Sequence, residues 1–170
     1  MKRQIRALAL AVLAPAACGL SGRAEPAAAQ VLVTHRLPLA LALEAAQTAI
    51  VTCAKQGYAV VAVVVDVDGV RQVVLRSDGT GVHSLDSATD KAYTAATYKS
   101  DISALVERAP KEPIAPMFDK LPNLLLAGGG GVIKMDKEVL GAIGVSGAPG
   151  SNLDEGCARA GLAQIRDRIK

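Results

Sequence analysis

Aromatic side chains are scarce in this sequence, which has no tryptophan, one phenylalanine and three tyrosines. A protein that binds nucleic acid needs a basic surface, and one that binds single strands also needs rings on which bases stack. The formal charge of +3 is no sign of such a surface, because residues 1–29 hold four basic side chains and one acidic one. Residues 30–170 carry no net charge, so the sequence gives no indication of a nucleic-acid partner.

Apolar runs long enough to span a bilayer are missing as well. The sequence has a shorter apolar run near its N-terminus. Residues 7–17 are apolar but too short to span a bilayer, they follow three basic residues, and a small-residue cleavage motif ends at Ala29. This pattern predicts a signal peptide over residues 1–29 and a periplasmic or secreted protein. A lipoprotein signal ending at Cys18 is the weaker alternative, because Pro15 stands where an aliphatic residue is expected. Residues 30–170 have the length of a single domain.

Cysteine is also rare, and only Cys53 and Cys157 remain after the predicted cleavage. An even number of cysteines in an oxidising compartment indicates a structural disulfide. Two buried free thiols are the alternative, since the sequence does not give the distance between the two residues.

The first half of the domain predicts one helix followed by a hairpin. Apolar residues recur at helical spacing over residues 39–56, and Gly57 is suited to end that helix. The β-branched run 58–67 and the strand 70–76 flank a turn at Asp68-Gly69. Asp66 and Asp68 could suggest a metal loop, but no further oxygen ligands follow, so turn formation explains them better.

The second half predicts two helices, three strands and a C-terminal helix. A helix capped by Ser84 or Asp86 runs to Tyr98, a short helix spans residues 102–108, and prolines predict a loop to about Lys120. Strands are expected at residues 122–127, 132–135 and 139–145, with the four glycines 128–131 forming a flexible turn rather than a phosphate loop. The last helix starts at Leu153 behind a Ser151 or Asn152 cap, and its inward stripe includes Cys157. The result is an α+β domain in which Cys53 and Cys157 can meet.

Several motifs, taken in order, resemble the GlcG/HbpS-like family, which includes the C-terminal domain of PduO-type proteins. The segments that carry the resemblance span nearly all of residues 30–170. They are Val64-Val65-Asp66-x-Asp68-Gly69, Arg76-x-Asp78-Gly79, Lys91-Ala92-Tyr93-Thr94-Ala95, residues 128–132, residues 141–147 and Asp154-x-x-Cys157-Ala158-x-Ala160-Gly161.

The resemblance implies a profilin-like domain of α/β/α layers around a five-stranded antiparallel sheet, often assembled into dimers or octamers. It also implies haem binding in exported members, linked to haem sensing, scavenging or protection against oxidative stress. The chain departs from some HbpS-type members because it has no Glu-x-x-Glu pair, so the surface iron site associated with that pair is not expected.

Haem requires an axial ligand, an apolar slot and often cations for its propionates. His83 is the foremost candidate for the iron ligand, with Tyr93 or Thr94 adding an oxygen and Arg76 or Lys91 holding a propionate. His83 could equally be a solvated or capping residue, and His35 is a second candidate in the stretch before the first helix. Residues 91–95 could instead be a structural helix seam or an oligomer contact.

Two further functions compete with haem binding. A domain that binds or converts a small 2-hydroxy acid such as glycolate would use Asp66, Arg76 and Lys91, and the third alternative is a purely structural, self-associating domain. The sequence contains no Ser-His-Asp order, no adjacent Cys-His pair and no zinc-ligand spacing. Together with the haem binding that the GlcG/HbpS-like resemblance implies, this gives the prediction of a non-enzymatic haem-binding domain.

Overall fold

The structure, a computed structural model, describes residues 31–111 and 120–169, with one compact unit beginning at Thr34. The predicted signal peptide and most of the proline-rich loop lie outside these residues. Four α-helices and four strands follow one another, with a 3-10 turn at Ala109–Lys111. They are α1 (Leu39–Ala54), β1 (Val61–Asp66), β2 (Arg71–Arg76), α2 (His83–Tyr98), α3 (Ile102–Arg108), β3 (Gly130–Met135), β4 (Glu138–Ser146) and α4 (Ser151–Arg166).

The strands form one antiparallel sheet in the order β2-β1-β4-β3. The two hairpins therefore lie side by side, with β1 and β4 in the centre. Successive side chains of β1 point to opposite faces. Ala62 and Val64 pack against α1 and α4, whereas Val61, Val63 and Val65 pack against α2 and Ile102. Helices cover both faces of β1, which explains why its sequence is an unbroken apolar run.

Small residues let the helices lie close to the sheet and to each other. A Cβ atom at Gly144 of β4 would overlap the Ala88 carbonyl of α2, and one at Gly161 of α4 would overlap the Ala45 carbonyl of α1. Helices α1 and α4 share one face of the sheet. There Cys53 of α1 and Cys157 of α4 form a disulfide with their Cα atoms 5.6 Å apart. The predicted pairing of these cysteines is confirmed.

The prediction of five strands is wrong, because the described residues contain four. Residues 122–127, predicted as a strand, form turns and irregular backbone. Asn123 takes a left-handed conformation with φ +63°, which interrupts an extended run. The amide of Leu125 then donates to the side-chain oxygen of Thr94 rather than to a neighbouring strand. The relationship to profilin stays a prediction.

Smaller differences concern the ends of elements. Helix α2 begins at His83, so Ser84 and Asp86 lie inside it and neither caps it. Helix α4 begins at Ser151, and the carbonyl of Gly150, rather than a Ser151 or Asn152 side chain, accepts from the Leu153 and Asp154 amides.

The four-glycine run is only partly a turn, because Gly130 and Gly131 already belong to β3. A Cβ atom at Gly130 would stand 2.8 Å from the Lys91 carbonyl oxygen and would also overlap the Ile102 side chain. Glycine therefore lets this strand start beneath α2 and α3. The two glycines that precede it lie in irregular backbone, with a bend at Gly128 and φ +112° at Gly129.

Candidate functional site

The loop between β2 and α2 holds two of the predicted site residues at its ends. Arg76 ends β2 and its guanidinium donates to the carbonyl of Thr80, while the Thr80 hydroxyl donates to the Ser77 carbonyl at 2.9 Å. His83 is the first residue of α2. These hydrogen bonds give the short connection a defined shape, so Arg76 and His83 sit on an ordered loop rather than on a free one.

The imidazole of His83 is exposed, and nothing in the described parts of the chain hydrogen-bonds to it. Its ring lies over Gly81, where an added Cβ atom would stand 2.7 Å from the ring carbon Cε1. The neighbouring Val82 is 74% exposed and adds apolar surface. A neutral imidazole in this position has a nitrogen lone pair to offer to a metal.

A shallow groove of about 450 Å³ adjoins Arg76, between α1 and the edge strand β2. Ile50, Val51 and Leu75 give it an apolar lining, and Gln47 and Arg76 are its polar residues. Its volume falls in the range of small-molecule sites. An apolar surface beside a cation suits a ligand with a hydrophobic body and a carboxylate. The lining residues do not include His83.

Lys91 is not free to hold a propionate. Its ammonium group lies 2.9 Å from the Asp154 carboxylate and 2.9 Å from the Val145 carbonyl oxygen, and the residue is 3% exposed. Asp154 also accepts a hydrogen bond from the Ala148 amide. Lys91 therefore ties α2 to the first turn of α4, a structural role that the sequence did not reveal because its partner lies 63 residues away.

Thr94 is also engaged in the fold. Its hydroxyl donates to the Asp90 carbonyl at 2.6 Å and accepts from the Leu125 amide at 2.9 Å, and the residue is fully buried. At 1.5 Å per residue, Thr94 lies about 16 Å along the helix from His83. The two side chains are therefore too far apart for both to hold the same iron.

Tyr93 is half-buried and its ring packs against the turn of the β1–β2 hairpin. A Cβ atom at Gly69, which has φ +80°, would stand 2.8 Å from the Tyr93 ring carbon Cδ2. The aromatic ring therefore fills the space that glycine leaves open. Tyr93 lies nearly three helical turns, about 15 Å, from His83, so the structure does not bring these two side chains together.

The second histidine, His35, is held by a carboxylate. Its Nδ1 lies 2.8 Å from Oε2 of Glu138, and its backbone amide donates to Oε1 of the same residue. The hydrogen bond from His35 lowers the pKa of Glu138. A ring fixed through Nδ1 leaves Nε2 available for a ligand. The adjoining cavity, which Met135 also lines, has a volume of only about 170 Å³, below the range of ordinary ligand pockets.

The residues of the predicted small-acid site do not converge. Asp66 and Arg76 lie at opposite ends of the β1–β2 hairpin, and Lys91 is buried against Asp154. Asp66 accepts from the amides of Asp68 and Val70 and from Arg36. The prediction that Asp66 shapes a turn is confirmed.

The described residues contain no cluster of three or more His, Cys, Asp or Glu side chains that could hold a metal ion.

A family model described as "Haem degrading protein HbpS-like" matches residues 37–163. The chain belongs to the HbpS-like family. A crystal structure of an HbpS double mutant from Streptomyces reticuli is 38% identical, with 82% of this chain and 96% of that one covered and a TM-score of 0.74. A further HbpS structure is 36% identical, covering 79% of this chain and 93% of that one, with the same TM-score.

Two solved structures of lower identity share the fold of this chain. A PduOC:heme complex is 23% identical with a TM-score of 0.72, covering 77% of this chain and 96% of that one. Klebsiella pneumoniae ORFY is also 23% identical, with a TM-score of 0.75, covering 82% of this chain and 97% of that one. At this identity the likeness shows the fold alone. No curated protein matches the sequence significantly.

Proposed function

We propose that this HbpS-like chain binds haem after export, in haem sensing, scavenging or protection against oxidative stress. The observation that carries the proposal is the exposed His83 imidazole, which has no hydrogen-bond partner among the residues described. It occurs in a chain whose family description names haem and whose fold is shared by a PduOC:heme complex.

We infer that the β2–α2 loop is where haem would bind. His83 would supply a nitrogen ligand for the iron, the exposed Val82 would supply apolar surface, and the Arg76 guanidinium would meet a propionate. Bound haem would contribute its iron as the site of ligand and redox chemistry. Lys91, Tyr93 and Thr94 would act indirectly, by holding α2 in position.

A second part of the proposal is that the chain binds haem without degrading it. Among the five candidate side chains, His83 and Arg76 are exposed and would serve as an iron ligand and a propionate partner. Haem degradation stands in the family description, so the assay must test for it directly.

Export to the periplasm or the medium and assembly into a homo-oligomer complete the proposal. Export is supported by the N-terminal sequence pattern. No helix in the described part of the chain is long and apolar enough to cross a membrane. Cell fractionation and light scattering of the purified protein test these two points; cytoplasmic retention or a monomeric mass would contradict them.

Haem titration of residues 30–170, followed by absorbance, tests the central proposal. Wild-type protein should give a saturable Soret band, and His83→Ala should shift or abolish it. His35→Ala is the matched control, since it removes the other histidine, and should leave the spectrum unchanged. Arg76→Gln should weaken binding about two- to tenfold while preserving the band position, because it removes one propionate contact.

Three outcomes would overturn parts of the proposal. No saturable binding would remove the haem function, and a band lost in His35→Ala but kept in His83→Ala would assign the ligand to His35. Degradation in place of simple binding would be established by one further result. With reductant and oxygen, the Soret band would decay in wild-type protein but not in His83→Ala, and a linear tetrapyrrole would be released.

A further inference from the structure

A second groove, of about 350 Å³, lies between edge strand β3 and the second half of α4. Its walls share no residue with the groove beside Arg76, and neither histidine lines it. The lining is apolar along most of its length, through Val132, Ile133, Leu162, Ala163, Ile165 and Ile169. The volume is within the range of small-ligand sites.

The groove exists because the sheet ends at β3 while α4 continues past it. Leu162 and Ile169 remain only half-buried, although they pack against the fully buried Ile133 and Ile165. Gly131 leaves room for the Leu162 side chain, since an added Cβ atom would stand 2.7 Å from its Cδ1. An open strip of hydrocarbon therefore follows the strand.

The polar lining of the groove comprises three cations and one carboxylate, that of Asp101, which accepts a hydrogen bond from the Val132 amide. Lys134 is exposed and pairs with no side chain in the described part of the molecule. In the described part of the chain, the Arg166 side chain pairs only with the adjacent Asp167, at 3.4 Å. Both side chains are more than three-quarters exposed, so this ion pair contributes little. Arg159 is bound to Glu155, which raises the pKa of Arg159. Lys134 and Arg166 are thus left to face an anion.

We propose that this groove binds a linear acyl carboxylate, with its hydrocarbon chain along the apolar strip and its carboxylate at Lys134 and Arg166. An added peptide strand is disfavoured, because the outward amide of Val132 already donates to Asp101 at 2.9 Å. Among the described residues that line the groove there is no aromatic ring to stack with a flat ligand. The inference is independent of haem binding.

Calorimetric titration of haem-free residues 30–170 with decanoate tests the inference, with butyrate as the short-chain comparison. Decanoate should bind saturably and butyrate should not, because most of the contact is with the chain. Ala163→Phe places a ring in the groove from an exposed helix position and should weaken decanoate binding at least tenfold. Ala40→Phe, at an exposed position of α1 outside the groove, is its matched control and should have no effect.

The charge is tested separately. Lys134→Gln should weaken decanoate about two- to fivefold, as expected for one exposed ion pair, whereas Lys137→Gln in the adjacent turn should not. The inference is overturned if decanoate does not saturate, if Ala163→Phe and Ala40→Phe bind alike, or if Ala163→Phe changes the oligomeric mass, which would mean that another copy covers the groove. Decanoate binding without haem binding would leave this site standing and remove the haem proposal.

Discussion

Lys91 of α2 and Asp154 of α4 form an ion pair 2.9 Å long in which each side chain is about 95% buried. The two helices pack on opposite faces of the sheet. Lys91 also donates to Val145 at the end of β4, and Asp154 accepts from Ala148. The pair therefore joins both helical layers to the end of a central strand.

Removing one member of this pair should be strongly destabilising. Lys91→Met leaves the Asp154 carboxylate buried without its partner, and we expect the free energy of unfolding to fall by about 3–5 kcal/mol. Urea denaturation measures the change. The double variant Lys91→Met/Asp154→Leu should regain part of the loss, since no charge is left uncompensated, and exposed Arg166→Gln should stay within about 0.5 kcal/mol of wild type. Unchanged stability in Lys91→Met would contradict a structural role for the pair.

The Cys53–Cys157 disulfide closes a loop with a sequence separation of 104 residues. Cys53→Ala/Cys157→Ala should lower the free energy of unfolding by about 2–5 kcal/mol, mainly because the unfolded chain gains conformational freedom. Denaturation of wild type with and without reductant provides the comparison, and reductant should leave the double variant unchanged. Mass spectrometry of unreduced protein that showed two free thiols would refute the disulfide.

Two glycines in contrasting surroundings should respond to alanine in opposite directions. Gly144→Ala places a methyl group against the Ala88 carbonyl and the Ala92 amide, and overpacking should cost about 1–3 kcal/mol. Gly156→Ala, inside α4 with no atom within 4 Å of the added carbon, should stabilise by about 1 kcal/mol through helix propensity. Thermal unfolding of both variants is the test; equal shifts would argue against the close packing of α2 on β4.

Asp90 should make the protein less stable at neutral pH than at acid pH. Burial, and to a smaller extent the charge of Asp86, raise the pKa of Asp90. Folding therefore favours the protonated form, whose stabilisation is present below the unfolded pKa and is lost as pH rises through the folded one. Asp90→Asn should melt higher than wild type at pH 7, and the difference should close towards pH 3. In an NMR titration, the pKa of Asp90 should be lower in Asp86→Asn than in wild type. A wild-type protein that melts higher than Asp90→Asn at pH 7 would contradict this account.

Thr94 and Thr89 form a natural pair for testing the loop anchor. Both hydroxyls donate to the carbonyl four residues earlier, but only Thr94 also accepts, from the Leu125 amide. Thr94→Val should cost about 1–3 kcal/mol because that amide loses its partner, with faster hydrogen exchange at Leu125. Thr89→Val should change little. Equal effects of the two substitutions would show that Thr94 does not hold the loop.

Local patterns predicted much of the fold. Helix α1, the first hairpin, the short helix at 102–108 and the approximate extent of β4 follow from hydrophobic periodicity, turn residues and prolines. Helical spacing placed Cys53 and Cys157 on inward stripes, and the continuous apolar run of β1 indicated a strand covered on both faces. These features depend on residues a few positions apart, which is why a single sequence reveals them.

The candidate site was only partly predictable. Arg76 and His83 are accessible at the ends of one loop, as required of a ligand-binding pair, and this follows from their place in a glycine turn. The engagement of Lys91 by Asp154, of Thr94 by Leu125 and of His35 by Glu138 could not be anticipated. A polar side chain has the same signature in sequence whether it faces solvent or a distant partner.

The sequence by itself determined the periodic elements, the inward placement of the cysteines and the family to which the chain belongs. Only the tertiary structure decided that the described sheet has four strands, that Gly130 and Gly131 extend β3, and that Lys91 is a buried structural cation. The physical reason is that strand pairing and charge burial depend on contacts between segments far apart in the chain. Helix and turn preferences act within a few residues and are therefore visible in the sequence.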